Sequence, residues 1–227
     1  MKTSSRPPLA DLDAIVDTLR DDLVARSAAR DKAIARSREL IRRCAESIRA
    51  VHRRDWQTAD ERLAVVRQQA AELREIVADY PDLYFAGYTQ DALKEVAEAF
   101  ITYAIIRDQP LPTPADLSVE SSTYLRGLSE AATELRRFIL DIMRRETRHS
   151  QEAERLLTCM DTIYEALVTI DFPDALTNGL RRQTDIVRSV LERTRGDLTN
   201  SLRQQRLQDA LERAEALAND LSAAEQT

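Results

Sequence analysis

Apolar residues return to one face at helical spacing along nearly the whole chain. From residue 9 to about 54 the positions Leu12, Ile15, Val16, Leu19, Leu23, Ile34, Leu40, Ile41, Ile48 and Val51 share a stripe, as a 3.6-residue period requires. The stretch "ARSAARD" is thin in large apolar side chains, so a break or bend could fall there. The same periodicity predicts helices over 57–78, capped by Thr58 or Asp60, and over 82–107. Next, "DQPLPTPADLS" holds three prolines in eleven residues. Proline lacks an N–H and pushes the residue before it out of the α region, which predicts a loop. Four further helices are predicted over 121–148, 151–170, 173–195 and 198–224. Pro173 suits a first helical turn. Gly196 would close one helix and Asp197 would cap the next. No stretch alternates as a strand does, and no fixed-period repeat appears. The pattern therefore predicts an all-α bundle of seven helices, with a single domain over 9–227 and a flexible polar tail over 1–8.

Composition adds little to the fold but narrows the chemistry. Four glycines and 32% charged residues in 227 fit long helices. A net charge of −6 excludes an indiscriminately basic nucleic-acid coat, though not a local basic patch. The positive charge is nearly all arginine, and the only lysines are Lys2, Lys32 and Lys94. Arginine's planar fork suits phosphate. "RELIRRCAESIRAVHRR" sets Arg38, Arg42, Arg49 and Arg53 near one face, and "NGLRRQTDIVRSVLERTRGD" adds Arg181, Arg182, Arg188, Arg193 and Arg195. Such stripes could track a phosphate backbone; a solvated face balanced by interleaved acids is the blander reading. Tyr80, Tyr84, Phe85 and Tyr88 cluster in "DYPDLYFAGY". Core packing is the expected role for most of them, and exposed members could stack unpaired bases. Cys44 and Cys159 form no C-x-x-C, which excludes a zinc knuckle or redox pair and leaves two reduced thiols. No apolar run approaches the ~20 residues of a membrane span. The N-terminus lacks the apolar centre of a signal peptide, so a cytoplasmic protein is expected.

Two acidic pairs carry the functional question. In "QDALKEVAEAF", Glu95 and Glu98 are three apart and share a helix face, with Leu93, Val96, Ala97 and Phe100 opposite. In "YLRGLSEAATELRRF", Glu130 and Glu134 are four apart, with Leu128, Leu135, Ile139 and Ile142 across from them. Periodicity alone favours a solvated face for both pairs. The sharper reading is that two carboxylates from each of two neighbouring helices hold a hard cation such as Mg²⁺, which takes oxygen ligands. The only histidines, His52 and His149, lie in neither pair, and no Glu-x-x-His motif exists. A zinc site, a Ser–His–Asp triad and a di-iron bundle are thus poorly supported. His52 is expected to be interhelical or at the surface.

Three stretches together resemble the translin family. "DFPDALTNGLRRQTDIVRSVLERTRGDLT" is similar to the signature near the family's C-terminal end. "YLRGLSEAATELRRF" resembles the segment after the proline-rich loop, and "FAGYTQDALKEVAEA" the helix before it. "RDKAIARSRELIRRCAESIRAVHR" fits more loosely. "KEVAEA" matches the Glu-x-x-Glu pair of the translin-associated factor X branch, and Glu134 matches that branch's next glutamate. Glu130 stands where the family has aspartate, and Thr133 replaces a small glycine. The resemblance implies a closed barrel-like homo-oligomer, commonly an octamer, enclosing its substrate. It also implies a Mg²⁺-dependent endoribonuclease, with Mn²⁺ as an alternative ion, acting on single-stranded RNA. Glu95, Glu98, Glu130 and Glu134 would be both metal ligands and catalytic groups. Arg42, Arg49, Arg53, Arg181 and Arg182 would position the nucleic acid. The alternative is a non-catalytic binder of single-stranded RNA or DNA, and a weaker third reading is a structural scaffold.

Overall fold

The computed structural model of the chain describes Leu9 and residues 11–145 and 150–224. The expected tail over 1–8, the last residues of the helix expected to reach 148, and His149 lie outside these. Among the described residues every regular element is helical. Six are long: α1 (Leu12–His52), α2 (Trp56–Ile76), α4 (Gly87–Ile106), α6 (Ser121–Arg145), α7 (Gln151–Val168) and α9 (Leu180–Ala224). Three are single turns: α3 (Pro81–Tyr84), α5 (Pro114–Leu117) and α8 (Asp174–Thr177).

The all-α architecture is as the periodicity predicts, but several boundaries move. The helix expected over 82–107 breaks at Ala86, which is extended at ψ 145°. Thr89 Oγ1 donates to the Leu83 carbonyl (2.8 Å) and Gln90 Nε2 to that of Tyr84 (2.8 Å), fixing the angle at which α4 begins. The cap of α2 is Asp55, which accepts from the Thr58 N–H at 3.2 Å, rather than Thr58 or Asp60. The proline-rich loop contains the capped turn α5. Thr113 and Asp116 bond reciprocally there, each side chain accepting from the other's backbone N–H. No break interrupts α1 at "ARSAARD".

The largest correction concerns Gly196 and Asp197. They do not separate two helices; both sit inside α9. Packing overrides the local signal. Leu191, Thr194 and Leu198 stay buried across the glycine. Asp197, instead of capping, pairs with Arg136 of α6 at 2.8 Å, and Arg136 also donates to Thr194 Oγ1. The turn that Gly196 was expected to make occurs earlier, at Asn178 (φ 51°) and Gly179 (φ 82°), between α8 and α9. There Asp174 accepts from the Gly179 N–H at 2.7 Å.

Helix α4 is the centre of the bundle. It packs along α1 and α6, with further contacts to α2, while α7 and α9 pack on α6. Accordingly 14 of its 20 residues are buried, on both sides rather than one. Gly127 sets the α4–α6 spacing. A Cβ there would lie 2.7 Å from Ala97 Cβ and 2.8 Å from the Lys94 carbonyl oxygen, well inside ordinary contact. At the other extreme, residues 12–25 of α1 are all exposed, so the stripe of Leu12, Ile15, Val16, Leu19 and Leu23 projects from the bundle. The core begins only at Ala33.

Gly127 and Gly196, both inside long helices, should respond oppositely to alanine. Nothing lies within 4 Å of a Cβ at Gly196. Gly196→Ala should therefore stabilise by roughly 0.5–1 kcal/mol through helix propensity. Gly127→Ala should destabilise by about 1–3 kcal/mol through overpacking. Denaturant unfolding of both variants in EDTA checks this; shifts of the same sign would contradict it.

Candidate metal centre

The close approach at Gly127 brings the acidic pairs together. Glu95 and Glu98 lie on successive turns of α4, and Glu130 lies one turn beyond Gly127 on α6. One carboxylate oxygen from each of the three lies within 4.8 Å of the others. Glu98 is 9% exposed, and Glu95 and Glu130 are half-buried. The solvated-face pattern is thus not what forms: the polar side of α4 faces α6.

Three like charges in a partly buried space repel, and the structure answers this in two ways. First, Glu98 gives up its charge. Burial, then the charges of Glu95, Glu130 and Glu134, push its pKa from 4.5 to about 8. Second, Lys94 enters the cluster. Its Nζ lies 3.1 Å from Glu95 Oε1 and 2.5 Å from Glu130 Oε2. Burial works against the ammonium, but the hydrogen bond to Glu130 and the charge of Glu95 outweigh it, and the Lys94 pKa is raised. Behind the cluster, burial and then the charges of Glu95 and Glu98 push the Cys44 thiol far up. Cys44 is a neutral packing residue there, unsuited to nucleophilic or metal-binding work.

Glu134 stands one turn further along α6, outside the three-carboxylate group. His52, at the end of α1, binds it: Nε2–H donates to Glu134 Oε1. The imidazole stacks on Phe138, with centroids 3.7 Å apart and planes 11° from parallel. Its Nδ1 has no hydrogen-bond partner among the described residues, and Asp141 Oδ2 lies 3.8 Å away. His52 is interhelical, as expected, and it locks the orientation of one candidate ligand. Neither Lys94 nor His52 stands out in the sequence as a site residue. The available signal was scarcity: both belong to residue types that the chain hardly uses.

The basic residues divide. Arg42 is held by Glu39 at 2.6 Å, and Arg181 by Asp171 at 3.0 Å. Arg49, Arg53 and Arg182 are exposed and make no ion pair among the described residues. Arg181 and Arg182 line a groove of about 840 Å³ together with Phe172 and Asp185. Tyr80, Tyr84 and Tyr88 pack against the core, whereas Phe85 is 63% exposed.

No protein-family model matches the sequence. An uncharacterised protein of Methanocaldococcus jannaschii is 30% identical over 195 residues, 85% of each chain. The structure of AfC3PO in complex with duplex RNA matches with a TM-score of 0.74 and 30% identity, over 82% of this chain and 95% of that one. AfC3PO in a second crystal structure gives 0.74 and 29%, over 82% and 96%. The chain belongs to the translin/C3PO family. Apo-NeC3PO, at 21% identity and a TM-score of 0.69 over 87% and 99% of the two chains, shares the fold. Membership accounts for the all-α bundle and for the order of the matching segments along the chain. Among the described residues no helix is long and apolar enough to cross a membrane.

The raised Glu98 pKa gives this translin/C3PO chain a defined pH response without metal. Between pH 4.5 and about 8 the native state holds a proton that the unfolded chain has released. The stability that Glu98 contributes in EDTA should therefore be fully present below this window and be lost as pH rises through it. Glu98→Gln should flatten the slope. Thermal unfolding across the window, with and without the substitution, measures it; an identical slope in both chains would contradict the assignment.

Proposed function

We propose that this chain is a Mg²⁺-dependent endoribonuclease of the translin-associated factor X type, acting on single-stranded RNA within a closed homo-oligomer such as an octamer. The carrying observation is the convergence of Glu95, Glu98 and Glu130 from two helices to within 4.8 Å. The donor set suits a hard cation: all its ligands are carboxylate oxygens, with no thiol or imidazole among the three. The burial of Glu98 and the presence of an ammonium in the cluster both express a demand for positive charge. Mn²⁺ would fit the same oxygens.

Glu95, Glu98 and Glu130 would hold the ion, and Glu134 would add a fourth carboxylate in the orientation that His52 imposes. When bound, the ion would supply Lewis-acid polarisation of a phosphodiester and a water of lowered pKa. Glu98 must lose its proton on binding, so loading should strengthen as pH rises. The exposed Arg49, Arg53 and Arg182 are free to meet phosphates, whereas Arg42 and Arg181 would first have to leave Glu39 and Asp171. The unpartnered α1 stripe supports assembly, since an apolar face of that kind needs cover.

The complex of AfC3PO with duplex RNA favours RNA as the ligand. It equally suits a second reading, an oligomeric RNA binder without chemistry. Incubating the pure protein with single-stranded and with duplex RNA, in Mg²⁺ and in EDTA, separates the two. The expected result is cleavage of single strands in Mg²⁺ only. Glu95→Ala and Glu98→Ala should each lower the rate beyond the roughly 10–100-fold cost of an outer-shell loss, with binding retained. Binding without cleavage would establish the second reading. Cleavage that survives EDTA or both substitutions would refute the first.

A further inference from the structure

The carboxylate cluster already contains a cation. Lys94 Nζ reaches Glu95 on its own helix at 3.1 Å and Glu130 on α6 at 2.5 Å. The residue is 8% exposed, so this is no loose surface pair. It is also a choice of chemistry. The chain is built with arginine almost throughout, and Lys94 is one of three lysines. Arginine would meet a carboxylate pair as a rigid planar fork. An ammonium is a compact charge on a flexible four-carbon stem, and it can withdraw without remaking a bidentate contact.

The ammonium and a divalent ion would compete for the same ligands. The three carboxylates already bring one oxygen each within 4.8 Å of the others. An ion bonded to Glu95 and Glu130 would stand directly against Nζ, and two cations in a space shielded from water repel strongly. We propose that Lys94 is the resident counter-cation of this site, and that a divalent ion binds by exchange, Nζ leaving Glu95 and Glu130 as the ion takes their oxygens. This rests on the metal-site reading above and goes beyond it. Lys94 ties α4 to α6 while the site holds no ion. It also weakens the affinity of that site for metal, because each binding event must break two ion pairs. Once it is displaced, the flexible stem lets the ammonium swing away from the ion towards solvent.

Mn²⁺ titration by calorimetry, on the assembled full-length protein, tests the exchange. Lys94→Met keeps the length of the stem and removes the charge. Relieved of the competitor, the variant should bind Mn²⁺ at least about tenfold more tightly, the factor expected if the ammonium occupies the carboxylates in nine of ten metal-free molecules. Its unfolding temperature in EDTA should drop, and Mn²⁺ should raise it by more than in the wild type. Equal or weaker Mn²⁺ affinity in the variant would overturn the proposal. If neither protein binds Mn²⁺, the metal-site reading itself fails and the exchange falls with it. Should Lys94→Met not fold, the wild-type chain still decides the matter. Acetylation of Lys94, followed by mass spectrometry against exposed Lys32, should accelerate with Mn²⁺ at the calorimetric midpoint while Lys32 stays constant. Unchanged labelling of Lys94 in Mn²⁺-loaded protein would overturn it.

Discussion

The missing side chain at Gly127 is the constraint on which the site depends. It lets α6 approach α4 until the Lys94 carbonyl oxygen and the Glu98 nitrogen lie only 2.8 and 3.0 Å from where a Cβ would be. With any larger residue the helices would stand further apart, and Glu130 would no longer share a space with Glu95 and Glu98. Close helix packing normally brings apolar surface together. Here it also drives three carboxylates into a partly buried place, which calls for an answer to their repulsion.

The answers are distributed over three helices. Glu98 keeps a proton far above the usual carboxylate range, Lys94 spans Glu95 and Glu130, and His52 reaches from α1 to Glu134. Each is a partial substitute for a divalent charge. In the reading proposed above, such a site would fold before it is loaded and would give up a proton and the ammonium contacts when an ion binds. Around it the chain leaves Arg49, Arg53 and Arg182 in solvent, and it leaves the apolar edge of α1 uncovered. Both suit a larger assembly with an anionic ligand better than they suit an isolated subunit.

The helical content, the broad order of elements and the two acidic pairs were all legible along the chain, because a 3.6-residue period and the i, i+3 and i, i+4 spacings are local properties. The local signals failed where neighbours intervened. Gly196 and Asp197 form a good stop-and-start signal, yet α6 holds both inside α9 through Arg136. The stripe over Leu12–Leu23 has the spacing of a core face, yet no other described part of the chain covers it. Glu95 and Glu98 read as a solvated face because one helix's periodicity cannot show that a second helix lies against its polar side.

By itself, the sequence determined that this is an all-α protein with paired carboxylates on two helices, and its segments resemble the translin family closely enough to suggest why. Only the tertiary structure decided that Glu95, Glu98 and Glu130 converge, that Glu134 is bound by His52 outside that group, and that Lys94 sits among the acids. The physical reason is that burial and pairing depend on distances between helices, which are set by packing at points such as Gly127. A spacing along one helix carries no record of them.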